Sequence, residues 1–259
     1  MSILYAFLIF ILGLSFGSFL NVLILRYGSG YKAQKSKCLF CARALTYKEL
    51  VPILSFVIQK GRCRSCRSKL SFQYPLVEFA TAVFFVFLYF LNNKNIDISL
   101  LLLFSFAFIS LAIATFDIKH KIVPSALQYA LFALVLMLVL RGYVLVGAIS
   151  FPEFAFYKLL SVFLFAAPYF LIWFISKGKA MGFADVKISA ILGLLFYPYQ
   201  IYSIVVLSFV VGALFSLLYI SFRYLKGIKY ENEIAFTPFI LTASWLVYLF
   251  NLDLLMWYN

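Results

Sequence analysis

Two aspartates and four cysteines are the residues of this 259-residue chain whose types and spacing could do chemistry. Asp117 closes one long apolar run and Asp185 opens another, with 67 residues between them. A carboxylate in the bilayer costs at least about 2.5–3.5 kcal/mol on insertion scales, so something should offset it. Two readings stand open. Each Asp could be a solvated helix end in the headgroup region, beside its own lysine, Lys119 or Lys187. Alternatively the pair is a dyad: two carboxylates held close cannot both ionise, so one stays protonated while the other deprotonates an attacking water. That chemistry hydrolyses a peptide bond without a covalent intermediate.

The cysteines form two C-x-x-C pairs, Cys38-Leu39-Phe40-Cys41 and Cys63-Arg64-Ser65-Cys66, separated by 21 residues. Paired thiolates at this spacing suit a tetrahedral zinc site. The chain has one His, so a four-Cys shell is the set the segment can build alone. Disulfides are the alternative, and they need an oxidising compartment.

The elements that must position these groups follow from composition. Apolar residues make up 65% and charged residues 12% of the chain, which excludes a water-soluble globule. About 20 apolar residues span a bilayer, and eight candidate helices occur near 3–25, 75–91, 98–116, 122–140, 154–175, 184–197, 201–222 and 234–258. The first is too long for a signal-peptide core and has no basic region ahead of it, so it is expected to stay in place. No internal repeat or low-complexity tract interrupts this plan.

The net charge of +13 reads as membrane orientation, not as nucleic-acid binding. Residues 26–74 carry 11 Lys or Arg and one acid, Glu49, and should lie in the cytoplasm. Eight spans then leave only Lys94, Arg141 and Lys158 outside, place both termini outside, and put Asp117 and Asp185 at the cytoplasmic face. A reducing cytoplasm favours zinc over disulfides for the four cysteines. The basic loop is expected to lie on anionic lipid.

Other matches have plainer explanations. Gly13-Leu14-Ser15-Phe16-Gly17 fits the G-x-S-x-G elbow but lies mid-helix, where small residues serve helix packing. Gly28-Ser29-Gly30-Tyr31-Lys32-Ala33 imitates a dinucleotide fingerprint without a β-α-β unit. His120 follows Asp117 in a basic turn and is given no chemistry. Glu78, near the start of the second span, could simply favour the helix dipole.

Taken together, Gly17-Ser18-Phe19-Leu20-Asn21-Val22, the paired C-x-x-C motifs, the stretch from Glu49 through Pro52 to Phe56, Gly61-Arg62-Cys63 and Tyr74-Pro75-Leu76-Val77-Glu78 resemble the bacterial type IV prepilin leader peptidase family. These are membrane aspartic proteases that also methylate the new amino terminus of the pilin. Asp117 with Pro124 and Leu127 resembles the first catalytic motif, although Ser125 replaces an acid after the proline. Gly182-Phe183-Ala184-Asp185-Val186-Lys187 resembles the second, G-x-G-D-V-K, with Ala184 in place of Gly. Ala235-Phe236-Thr237-Pro238-Phe239 looks like a late block.

The resemblance implies an all-α polytopic enzyme of the inner membrane with about eight transmembrane helices and a small zinc-ribbon-like cytoplasmic loop. Its parts would be a first helix (1–25), the four-Cys loop (26–74) and a seven-helix protease domain (75–259). Asp117 and Asp185 would be catalytic, with Glu78, Gly182 and Lys187 in support, and Cys38, Cys41, Cys63 and Cys66 would hold structural zinc. The substrates would be prepilins or pseudopilins of type IV pilus or type II secretion systems, cut after a Gly. S-adenosylmethionine would be the methyl donor, at residues the resemblance does not assign. The rivals are a transporter with two intramembrane carboxylates and a membrane-anchored zinc adaptor without catalysis.

Overall fold

In a computed structural model, residues 2–27, 36–38, 40–146, 150–226 and 234–252 are described. The regular elements are α1 (Ser2–Arg26), a 3₁₀ turn (Tyr47–Glu49), α2 (Leu54–Ile58), α3 (Gln73–Leu91), α4 (Ile98–His120), α5 (Ser125–Val146), α6 (Phe151–Ile175), α7 (Phe183–Gly193), α8 (Pro198–Leu225) and α9 (Thr237–Phe250). Among the described residues there is no strand, only the isolated bridges Lys37–Ala44 and Arg62–Lys69. The fold is all-helical.

Every apolar run read from the sequence is a helix, but the runs are not equivalent. Six of them, α1, α3, α4, α5, α6 and α8, are long and apolar enough to cross a membrane, so this is a multi-pass membrane protein. With 11 and 14 residues, α7 and α9 reach about 16 and 21 Å, short of the roughly 30 Å hydrocarbon core. The cause for α7 is local. Pro198 opens α8, and the residue before it, Tyr197, is extended (ψ 158°), as a following proline requires. Helix α9 ends where Asn251 turns left-handed (φ 47°), and residues 253–258 of the eighth run lie outside the described residues.

Large apolar side chains such as Ile3, Phe163 and Leu218 are exposed on these helices. Water would not tolerate such a surface, whereas lipid tails match it.

The chain divides into two compact units, Met1–Ala112 and Ile113–Asn259, the division falling inside α4. In the first, α1 and α3 pack through glycine. A Cβ on Gly13 would lie 2.5 Å from the Ala82 Cα, and one on Gly17 would lie 2.6 Å from the Glu78 Cα. The two glycines of the rejected elbow pattern therefore let two backbones touch. Phe85 stacks on Phe104 at 4.4 Å beside this seam.

In the second unit, Gly193 meets α6 in the same way, a Cβ there falling 2.8 Å from the Val162 Cα. The far end of α7 is held by Lys158, whose ammonium donates to the Leu195 carbonyl (3.3 Å) and lies 4.3 Å from the Tyr197 ring centre. The buried Tyr169 with the half-buried Phe209 and Phe236 joins α6 and α8 to the start of α9.

Overpacking either glycine seam should be costly. Gly13→Val is expected to destabilise the first unit by about 1–3 kcal/mol. Gly142→Ala, where an added Cβ meets nothing within 4 Å, should not. Thermal unfolding in detergent checks both.

Candidate active site and metal centre

Three helix ends of the second unit meet around Thr237. Asp117 lies in the last turn of α4, Asp185 in the first turn of α7, and Thr237 is the first residue of α9. All three are buried, Thr237 almost completely. The Thr237 hydroxyl donates to Asp185 Oδ1 at 2.6 Å. Its hydroxyl and backbone N–H also lie within hydrogen-bonding reach of the Asp117 carboxylate. Asp185 in turn feels the charge of Asp117 and the backbone N–H of Gly182.

Local sequence explains each placement. The N–H of Thr237 is one of the amides α9 cannot satisfy internally, and Pro238 behind it holds the helix start. Gly182 caps α7 in an extended conformation (φ −76°, ψ 149°), which puts Asp185 in the first turn, where the helix dipole favours an acid. Ala184 lies inside that right-handed first turn, so the position needs no glycine freedom. Lys121 ends α4 in the left-handed conformation (φ 56°), and its N–H returns to the Asp117 carbonyl at 2.9 Å.

The two lysines expected beside the carboxylates do not pair with them. Lys187 is exposed, with its ammonium 5.3 Å from the Phe183 ring centre. Lys119 is exposed as well, and the charge that reaches Asp117 is that of Lys121. His120 packs on Phe116. Glu78 belongs to the first unit, where it is buried and accepts the Ile53 N–H at 2.7 Å.

Thr237 was not legible as a site residue. A threonine before a proline at a helix start reads as a cap, and only its neighbours reveal that the hydroxyl faces a carboxylate. Tyr169, buried and bonded to the Ser208 hydroxyl at 2.7 Å within electrostatic range of Asp185, gave no signal at all.

The four cysteines come together in the first unit. Their sulfurs all lie within 4.8 Å of one another, and none is in a disulfide. Cys38 and Cys66 Sγ are 3.8 Å apart. Four sulfurs at about 2.3 Å from a tetrahedral zinc would lie roughly 3.8 Å from each other, so the cluster fits a metal ion of that kind.

The cluster is built from a local repeat that the sequence did not suggest. Cys38 N–H bonds to the Arg43 carbonyl and Cys63 N–H to the Ser68 carbonyl, both at 2.9 Å. Ala42 N–H returns to Cys38 and Arg67 N–H to Cys63, both at 3.0 Å. Ala42 and Arg67, each following the second cysteine of its pair, are left-handed at φ 56° and 55°. Each turn thus buries its first cysteine and exposes its second.

The turns favour thiolate at Cys38 and Cys66, whereas at Cys41 the Arg43 N–H is outweighed by burial and the neighbouring thiols, which push it up to about 11. The Cys41 N–H, opposed by burial, brings the Cys38 thiol down to about 6, and the Ser68 hydroxyl lowers that of Cys66. Glu49 braces the first turn through Arg43 and through the N–H and hydroxyl of Thr46, both at 2.9 Å. The Thr46 N–H, chief among these donors, holds its carboxyl below the usual carboxylate range.

A multi-pass helical protein with two buried aspartates at abutting helix ends and a separate four-thiol cluster defines a recognisable class, membrane proteins with a paired-carboxylate site. Residues 11–91 match the bacterial peptidase A24 N-terminal domain, and residues 102–217 match the type IV leader peptidase family. The prepilin leader peptidase/N-methyltransferase of Bacillus subtilis (strain 168) is 31% identical over 97% of this chain and 96% of its own. That of Aeromonas salmonicida (strain A449) is 28% identical over 98% and 94%. The chain belongs to the type IV leader peptidase family. No solved structure matches it.

Purified protein should carry about one tightly bound metal ion per chain. Cys63→Ser should lose it and leave residues 36–72 open to proteolysis. Elemental analysis and limited digestion read the two outcomes.

Proposed function

We propose that this protein cleaves the basic leader of type IV prepilins or pseudopilins at the cytoplasmic boundary of the inner membrane, after a Gly, by an aspartic mechanism. The observation that carries the reading is Thr237, which faces both buried carboxylates and donates to Asp185. Asp117 and Asp185 share one proton. One activates water against the scissile carbonyl while the other protonates the departing amine. Thr237 has a single hydroxyl proton and gives it to Asp185, so the two carboxylates are not equivalent.

Burial argues against solvated helix ends. A transporter would be expected to hold its carboxylates near the bilayer midplane between broken helices. Here both stand at helix ends, beside the turns bearing Lys119, Lys121, Lys177 and Lys179. An adaptor would have no use for two buried carboxylates around one hydroxyl.

The same reading makes Cys38, Cys41, Cys63 and Cys66 the ligands of a structural zinc, which would staple a loop too small to build its own core. It includes N-methylation of the new amino terminus from S-adenosylmethionine, supported by the names of the relatives. Gly182 supports Asp185 through its N–H, whereas Lys187 has no contact with the pair and is best read as an interfacial cation. The distribution of basic residues favours both termini outside and the aspartates inside.

Asp117→Asn and Asp185→Asn should each abolish cleavage of a prepilin while the protein still inserts; activity in either removes that residue from the mechanism. Thr237→Val should slow turnover about 10- to 100-fold, the worth of a hydrogen bond to a charged group, with Thr237→Ser restoring most of it. Mass spectrometry of the pilin product follows both series. In intact cells, single cysteines at positions 119 and 187 of a variant lacking the native four should resist membrane-impermeant thiol reagents added outside; labelling there overturns the orientation.

A further inference from the structure

The seam between α1 and α3 changes character along its length. Gly13 faces Ala82 and Gly17 faces Glu78, and one turn further Asn21 Nδ2 donates to the Tyr74 carbonyl at 3.1 Å. The pairs advance by four residues on each antiparallel helix, so Asn21 lies one turn from Glu78 on the same face. Where two backbones touch at Gly13, two polar side chains are buried at the end nearest the four-Cys loop.

Their hydrogen bonding is incomplete in one direction. Glu78 is 7% exposed, and its carboxylate accepts the Ile53 N–H at 2.7 Å with the Ser18 hydroxyl also in reach. Both donors are neutral, and among the described residues no cation pairs with it. Asn21 is 3% exposed, and its Oδ1 is buried with no hydrogen-bond partner among the described residues. Exchanging the amide atoms would not help, because the nitrogen is already spent on the Tyr74 carbonyl. Buried acceptors are almost always satisfied, so an orphan one turn from a carboxylate with no paired cation marks a missing donor.

A group that completes this site donates to Asn21 Oδ1, donates to the Glu78 carboxylate and offsets its charge. An ammonium does all three. A water could satisfy Asn21 but would leave the Glu78 charge unmatched.

We infer that Glu78 and Asn21 form a binding site for a primary amine, the amino terminus of a newly cut polypeptide, which they hold for methylation. The inference rests on the N-methylation reading above and supplies residues for it. Glu78 pairs with the ammonium and takes one proton, leaving a neutral amine with a free lone pair and a carboxylic acid. Asn21 Oδ1 accepts a second N–H and orients the nitrogen. The site lies within the part of the chain that matches the A24 N-terminal domain, apart from the aspartates in sequence.

The test is equilibrium binding of a fluorescent peptide with the mature pilin amino terminus, free or N-acetylated, to the full-length protein in lipid nanodiscs. The free amine should bind about 10- to 100-fold tighter, as a charge-assisted hydrogen bond implies. Glu78→Gln keeps an acceptor for the Ile53 N–H but should lose the preference; Asn21→Leu should weaken it several-fold and serves if Glu78→Gln does not insert. Equal affinity for the two peptides in the native protein, an undiminished preference in either variant, or a preference abolished by Asp185→Asn and kept in Glu78→Gln would each overturn the site. If the amine preference holds but the native protein never methylates a cleaved prepilin supplied with S-adenosylmethionine, the site stands and the methylation reading falls.

Discussion

The second unit depends on keeping two carboxylates buried beside each other. Two negative charges in a medium of low dielectric repel strongly and forfeit their hydration. Thr237 answers both difficulties with one residue. Its hydroxyl donates to Asp185, and its hydroxyl and N–H both reach Asp117. The arrangement therefore requires the start of α9 to abut the end of α4 and the start of α7. Much of the surrounding packing secures that meeting. Tyr169, Phe209 and Phe236 hold the chain just ahead of Thr237, and Gly193 seats α7 against α6. Lys158 caps the far end of α7, so a helix too short to span lipid is fixed at both ends.

The first unit meets a different shortage. Its polar segment buries few of its apolar side chains, Leu54, Val57 and Phe72 being exposed, and its order comes instead from two equivalent turns that present four sulfurs to one point. The left-handed residues Ala42 and Arg67 close both turns, and in the first the Cys41 N–H faces the Cys38 sulfur. Glu49, the one acid in that segment, is spent bracing the first turn and not on chemistry. Glu78 ties the same segment to α3 through the Ile53 N–H.

Much of this was legible from residue types and spacing. Each apolar run became a helix because lipid leaves a backbone no other way to satisfy its own hydrogen bonds. Gly13 and Gly17 were readable as packing residues, and the C-x-x-C pairs as one cluster. What misled was one-dimensional proximity. Lys119 and Lys187, two residues from the aspartates, point elsewhere because two residues along a helix is more than half a turn. The eighth run looked like a full span, but its helix stops at Phe250 when Asn251 turns left-handed.

By itself, the sequence determined the membrane environment, the number of apolar helices, the family and the residues able to act as acids, bases or metal ligands, because these follow from composition and local spacing. Tertiary structure alone decided that Thr237 faces the aspartates, that the two cysteine turns repeat each other, and that Asn21 and Glu78 share a buried seam. Such contacts join residues 52 to 120 positions apart, or depend on turn conformations that unlike sequences share. A hydrogen bond across that distance leaves no periodic trace along the chain.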